Sequence, residues 1–250
     1  GSGSLRALGA VRAEPVHDVL RDWAIGCLLY EEPERFVALA LASPAPARLV
    51  RGVEMAARLH AEFGQDATEW RALLDQVSVP GTHGSWRRAV LLAPARSERS
   101  AEALNRCLPR LDANDAQLLA EIVRAAIVVD SQAATPLWAA LGVDTSKLTD
   151  DFTMPRGPVW LNLIVWSLAT GDRLPPAAVP QLVALYGRWC NAFAGQDACS
   201  PLLVKRLHAW LVEVEAASNP KTLGFEARMA ATAAPRLTMT ATQENDLRTA

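Results

Sequence analysis

Apolar residues recur at intervals of three and four along most of the chain, which is the spacing of one face of an α-helix. The alternation of β-branched residues that marks a half-buried strand hardly occurs. The sequence therefore predicts an all-α fold, with about ten helices of roughly 10 to 20 residues joined by short turns. Because no fixed repeat and no long-range pairing pattern is present, we expect an irregular, HEAT-like α-solenoid of antiparallel helix pairs.

Prolines set most of the predicted helix starts, because a proline in the first turn removes no intrahelical hydrogen bond. The helix starts predicted in this way include Pro15, Pro33, Ser43–Pro44, Pro158 and Ser200–Pro201. The segment from Leu5 to Arg12 is too short and too broken by glycine for a helix, and it would at most form a turn with a short strand on either side. The polar stretch 142–157 is the longest irregular segment of the chain.

Composition excludes several classes of partner. The net charge of −2 gives no field that would favour nucleic acid or an anionic membrane surface. No apolar run reaches the roughly 20 residues that cross a bilayer, since Asn162 and Ser167 interrupt the longest one.

The four cysteines form no CxxC pair, so we expect reduced thiols and a cytoplasmic location. The chain does not begin with methionine, and we expect a further part of the protein upstream.

Common catalytic and phosphate-binding motifs are missing from the sequence, including the P-loop, the dinucleotide fingerprint and the zinc-protease helix. The four histidines stand far apart without partners at metal spacing, so no zinc site is expected. His83 is interpreted as a surface turn residue. Most tryptophans fall on apolar rows and are interpreted as core, and these are Trp23, Trp70, Trp160, Trp166 and Trp210.

The segment from Glu14 to Leu29 is the most informative part of the chain. It predicts an amphipathic helix from about Pro15 to Tyr30. Its buried stripe is predicted to consist of Val16, Leu20, Trp23, Cys27 and Tyr30, with Val19, Ala24 and Leu28 beside it. Asp18 in the first turn is favoured by the free N–H groups and the helix dipole. His17 at the same end is not favoured as a cation, so it is expected to be neutral and available for a ligand contact.

This segment resembles the end of the winged-helix domain in STAND-type signalling NTPases, which include the NB-ARC and NACHT proteins. The NB-ARC branch has a Met-His-Asp motif at this helix start; here Val16 replaces the methionine, and His17 and Asp18 match. The preceding Leu5–Pro15 resembles an abbreviated wing hairpin. The resemblance implies that His17 contacts the β-phosphate of bound ADP in the inactive state, and that Asp18 fixes the helix end.

The resemblance also implies a domain organisation and a function. Residues 1–32 would be the remnant of a winged-helix domain, 33–217 an α-solenoid, and 218–250 a partial continuation of the helical array. The chain would be the sensor or regulatory region of a bacterial nucleotide-switched ATPase, with defence signalling as a candidate role. It would not be catalytic by itself, with ADP or ATP bound only in the parent protein. Its partners would be the upstream NTPase domain and a protein or small ligand on the solenoid surface.

Two other interpretations remain open. The chain would be an independent HEAT-like scaffold for protein interactions if no NTPase belongs to it. Alternatively, it would be a helical enzyme with a buried site around Trp160, Asn162, Trp166 and the long loop 142–157.

Overall fold

The protein is mainly helical, which confirms the all-α prediction. The structure, a computed structural model, describes residues 5–7, 13–15, 18–39, 41–64, 67–111, 117–140, 142, 144, 153–175, 178–193 and 197–216. Within them lie eleven α-helices, named here in chain order: α1 Asp18–Glu31, α2 Ala47–Phe63, α3 Thr68–Gln76, α4 Gly84–Leu91, α5 Ala93–Arg96, α6 Ser100–Leu111, α7 Gln117–Val129, α8 Thr135–Ala140, α9 Val159–Thr170, α10 Val179–Phe193 and α11 Ser200–Ala216. The predicted continuation over 218–250 lies outside the described residues.

Two small antiparallel hairpins accompany the helices. Strands β1 (Leu5–Ala7) and β2 (Ala13–Pro15) pair with Leu5 opposite Pro15. The sequence allowed at most a turn with short strands for Leu5–Arg12, and β2 lies just beyond that segment. Because β2 extends to Pro15, the first helix begins at Asp18 rather than at the predicted Pro15. Strands β3 (Ser131–Ala133) and β4 (Thr153–Pro155) form the second pair, which the sequence did not predict.

The chain divides into two compact units. The first contains Gly1–Asn114 and Val165–Ala169, and the second contains Asp115–Ile164 and Thr170–Ala250.

In the first unit α2 is the central helix, and α1, α3, α4, α5 and α6 all pack against it. Its leading segment is fixed to the start of α4 by three hydrogen bonds: His83 N–H to Leu41 O at 2.8 Å, Trp86 Nε1 to Ser43 O at 2.9 Å, and Ala45 N–H to Ser85 Oγ at 2.9 Å. Farther along α2, Glu54 pairs with Arg96 of α5 at 2.6 Å. Side chains from several helices thus hold α2 in place.

Helices α1 and α2 run in the same direction. Asp22 of α1 lies near Arg51 of α2, and Tyr30 of α1 lies against His60. The residue numbers of the contacting positions therefore increase together along α1 and α2. Because α1 lies outside the predicted solenoid 33–217, this pair does not test the antiparallel pairing expected there. A full helix was predicted after Pro33. The structure has only a 3-10 helix over Pro33–Ala38 there, followed by extended backbone at Leu39. This segment leads the chain back to the start of α2.

The second unit has a core of aromatic side chains from its helices. Trp160 of α9 is fully buried and donates its indole N–H to Ala126 O of α7 at 3.0 Å. Tyr186 of α10 stacks on Trp210 of α11, with ring centroids 5.5 Å apart. The interpretation of Trp160 and Trp210 as core residues is confirmed, since both are buried. In the first unit the same holds for Trp70, which donates to Val90 O at 2.9 Å.

Asp197 caps the start of α11 and connects it to α10. Its Oδ1 accepts hydrogen bonds from the backbone N–H of Cys199 at 2.8 Å and from Trp189 Nε1 at 3.0 Å. The hydroxyl of buried Ser200 donates to Oδ2. Burial acts to raise the pKa of Asp197, but the hydrogen bonds from Ser200, Trp189 and the backbone outweigh it and lower the pKa below its usual value.

Replacing Asp197 with alanine should lower the free energy of unfolding by about 1–2 kcal/mol at neutral pH, because it removes the cap and leaves the Trp189 N–H without its acceptor. Asp197→Asn keeps an acceptor oxygen and should cost less. Chemical denaturation monitored by circular dichroism measures both changes.

The same variants test the pH dependence. Since the folded-state pKa lies below the unfolded value of about 3.9, the carboxylate stabilises the fold above that pH. Its contribution is lost as the pH falls through the folded-state value. The difference in free energy of unfolding between wild type and Asp197→Asn should therefore narrow in acid. A difference that does not change with pH would show that the negative charge of Asp197 does not stabilise the start of α11.

Candidate functional site at the N-terminal helix

The motif residues lie at the junction between the first hairpin and α1. Two residues, Val16 and His17, separate the end of β2 from Asp18, which is the first residue of α1. His17 lies outside the described residues, and of Asp18 the structure gives the backbone position alone. The structure therefore places Asp18 at a helix N-terminus directly after a hairpin, while the contacts of both side chains stay predictions.

The buried face of α1 consists of Asp22, Gly26 and Leu29. Leu29 is 5% exposed and Asp22 only 7%. The carboxylate of Asp22 lies 3.2 Å from Arg21 Nη2 and 3.6 Å from Arg51 Nη1 of α2. A buried carboxylate is costly unless it is paired, and these guanidinium groups provide the pairing. Sequence periodicity did not identify Asp22, because it counts an aspartate as a surface residue.

Glycines allow α1 and α2 to approach closely. A Cβ placed on Gly26 would lie 3.3 Å from the carbonyl oxygen of Gly52, and a Cβ on Gly52 would lie 3.5 Å from the carbonyl oxygen of Asp22. The side chain of Ile25 covers Gly52, and that of Met55 covers Gly26. Glycine inside a helix is otherwise unfavourable, so its presence near the middle of both helices was an available sequence indication of close packing.

Much of the rest of the α1 surface exposes large apolar side chains. Val19, Leu20, Trp23 and Leu28 are 74%, 41%, 58% and 39% exposed. The sequence placed these residues on or beside the buried stripe, and this prediction is wrong. The reason is that α1 packs on α2 through its glycine face, and only one side of the helix can lie against α2. We call these four residues the outer row of α1.

At the C-terminal end of α1, Tyr30 packs on His60 of α2 with ring centroids 4.7 Å apart. His60 is 4% exposed. Its burial lowers the pKa of the imidazole, and the carboxylate of Glu69 acts in the opposite direction to a smaller extent. Among the described residues, no hydrogen-bond partner is present for its Nε2.

Of the site proposed for a helical enzyme, Trp160 and Trp166 are core positions and Asn162 is half-buried. Trp160 and Trp166 are buried, and their indole N–H groups donate to Ala126 O and to Asn105 Oδ1, each at 3.0 Å. Asn162 belongs to the ladder of α9, with its N–H donating to Pro158 O at 2.8 Å. Most of the loop 142–157 lies outside the described residues.

The contacts of His83 give this histidine a local role only. His83 is exposed, as predicted for a turn residue, and its Nδ1 accepts from the backbone N–H of Ser85 at the start of α4. Among the described residues, no group of three or more histidine, cysteine, aspartate or glutamate side chains is arranged to hold a metal ion. Within that part of the chain no helix has both the length and the apolar character that a membrane span requires.

No protein-family model matches the chain, and no curated protein matches it.

The close approach of α1 and α2 can be tested with Gly52→Ala. The new Cβ would lie 2.8 Å from Ile25 Cβ, which is the branch point of a side chain with few allowed rotamers. We expect the free energy of unfolding to fall by about 1–3 kcal/mol, although alanine is a better helix former by about 1 kcal/mol. The control is Gly84→Ala at the first residue of α4, where a Cβ would meet no heavy atom within 4 Å. Equal effects at the two sites would rule out the contact as the cause.

The orientation of α1 can be tested with one substitution on each face. Trp23→Ser, on the exposed face, should change the free energy of unfolding by less than about 1 kcal/mol. Leu29→Ala, on the buried face, should cost about 2–4 kcal/mol because it leaves a cavity against α2. Urea denaturation of both variants measures the difference. If Trp23→Ser were the more damaging change, the buried stripe that periodicity predicted would be the true one.

Proposed function

We propose that this chain is the region of a STAND-type nucleotide-switched ATPase that runs from the end of its winged-helix domain into its helical sensor. The observation that carries the proposal is the start of α1 at Asp18 directly after the β1–β2 hairpin. A hairpin followed at once by a helix that begins at the His-Asp pair is the order that the resemblance implies. The chain would act in the cytoplasm and would not be catalytic by itself.

His17 and Asp18 have separate roles in this proposal. His17 would donate a hydrogen bond to the diphosphate of ADP held by the NTPase domain of the parent protein. Asp18 would stabilise the first turn of α1, since a carboxylate is favoured beside the free N–H groups of a helix start. A phosphate oxygen suits the role of His17, because a neutral histidine can donate one hydrogen bond to it.

Helix α1 would transmit the state of the nucleotide to the helical region. Its inner face is fixed to α2 by the glycine contact and by the pair of Asp22 with Arg51. Since α2 is the central helix of the first unit, a displacement of α1 would move the helices packed around it. Its outer row would contact the NTPase domain, and a ligand on the helical region would favour whichever position of α1 it binds more tightly.

An independent helical scaffold for protein interactions is the alternative. The outer row of α1 favours it as well, because exposed large apolar residues suit a partner protein of any kind. The two proposals differ in what lies upstream. A P-loop in the same reading frame supports the ATPase, and an upstream region without one supports the scaffold.

The decisive experiment uses the parent protein and His17→Ala. If His17 contacts the diphosphate, its loss should weaken ADP binding about 10- to 100-fold, the value of one hydrogen bond to a charged group. Basal signalling should also rise. Isothermal titration with ADP measures the affinity, and His208→Ala, at an exposed position of α11, is the matched control. Unchanged affinity in His17→Ala would reduce His17 to a structural residue.

A further inference from the structure

His60 is buried between helices in a way that its ordinary packing role does not explain. It lies on α2, is 4% exposed, and has no partner for Nε2 among the described residues. A buried histidine nitrogen without a hydrogen bond costs free energy, and a leucine or phenylalanine would fill the same space without that cost. The position is therefore poorly suited to histidine as a simple core residue.

Helices α1 and α3 present different side-chain groups to His60. From α1 the group that faces it is the aromatic ring of Tyr30, 4.7 Å away between centroids and tilted by 49°. From α3 the group that acts on it is the carboxylate of Glu69. A protonated imidazole has two N–H donors and a charge. The carboxylate on the α3 side would attract that charge, whereas the ring on the α1 side would not neutralise it.

We propose that His60 is a pH-sensitive contact that weakens the attachment of the C-terminal end of α1 to α2 under mildly acidic conditions. In neutral solution the uncharged imidazole packs against Tyr30. When the ring is protonated, the buried contact with α1 is destabilised, because the charge gains solvation if α1 moves away. This inference does not rest on the proposed function.

The direction of the pH dependence follows from proton linkage. The buried imidazole binds its proton less readily than the exposed one does, so the state with α1 detached takes up the proton more easily. The attachment is therefore at full strength above the exposed value of about 6.5. It weakens as the pH falls below that value, by up to about tenfold per pH unit, until the buried ring is itself protonated.

Hydrogen exchange of the 250-residue chain tests this proposal. After correction for intrinsic exchange rates, the protection of the α1 amides should fall by up to about fivefold between about pH 6.5 and 5.5. The amides of α10 should not change in this range. In His60→Phe, which keeps a ring against Tyr30, the protection of α1 should become independent of pH. His208→Gln, at an exposed position, should behave as wild type does.

Two further measurements keep the test decisive if His60→Phe does not fold. His60→Gln should also abolish the pH dependence, and an NMR titration of the unmutated chain should give His60 a midpoint below 6.5. The proposal is overturned if α1 protection in wild type does not depend on pH. It is also overturned if a folded His60→Phe or His60→Gln variant keeps the pH dependence of α1 protection. The same holds if His60 titrates at or above the ordinary histidine pKa of about 6.5.

Discussion

The close approach of α1 to α2 at Gly26 and Gly52 is the constraint on which the N-terminal part of the structure depends. Without side chains at these positions the two backbones come near enough for Asp22 to reach Arg51 and for Tyr30 to reach His60. The same contact decides which face of α1 is buried. As a result the largest apolar side chains of the helix are left facing outward.

The sequence predicts the existence of the helices better than their orientation. Ser200–Pro201 was correctly identified as the start of α11, because the position of a proline is a local property of the sequence. The outward position of Trp23 depends on the packing of two glycines about 26 residues apart, which no local pattern contains. Likewise, β3 and β4 are three residues each, too short to show alternation, and they pair across more than 15 residues of intervening chain.

The candidate site was partly predictable for the same reason. A helix start near His17 and Asp18 is visible in the sequence, and so is the hairpin before it. The buried polar residues Asp22 and His60 are not, since their burial arises from the contact between α1 and α2. Buried charged or titratable groups of this kind are seldom found from periodicity, because a pattern of apolar residues treats them as surface.

The hydrogen bonds at the start of α2 restrict how the helix can move. Leu41 and Ser43 bind the start of α4, and Glu54 binds Arg96. Sliding α2 along its axis by one helical turn, about 5.4 Å, would break all of these bonds together. Tilting α2 together with its bound neighbours breaks none of them. A displacement of α1 would therefore tilt α2 together with these neighbours rather than slide it along its axis.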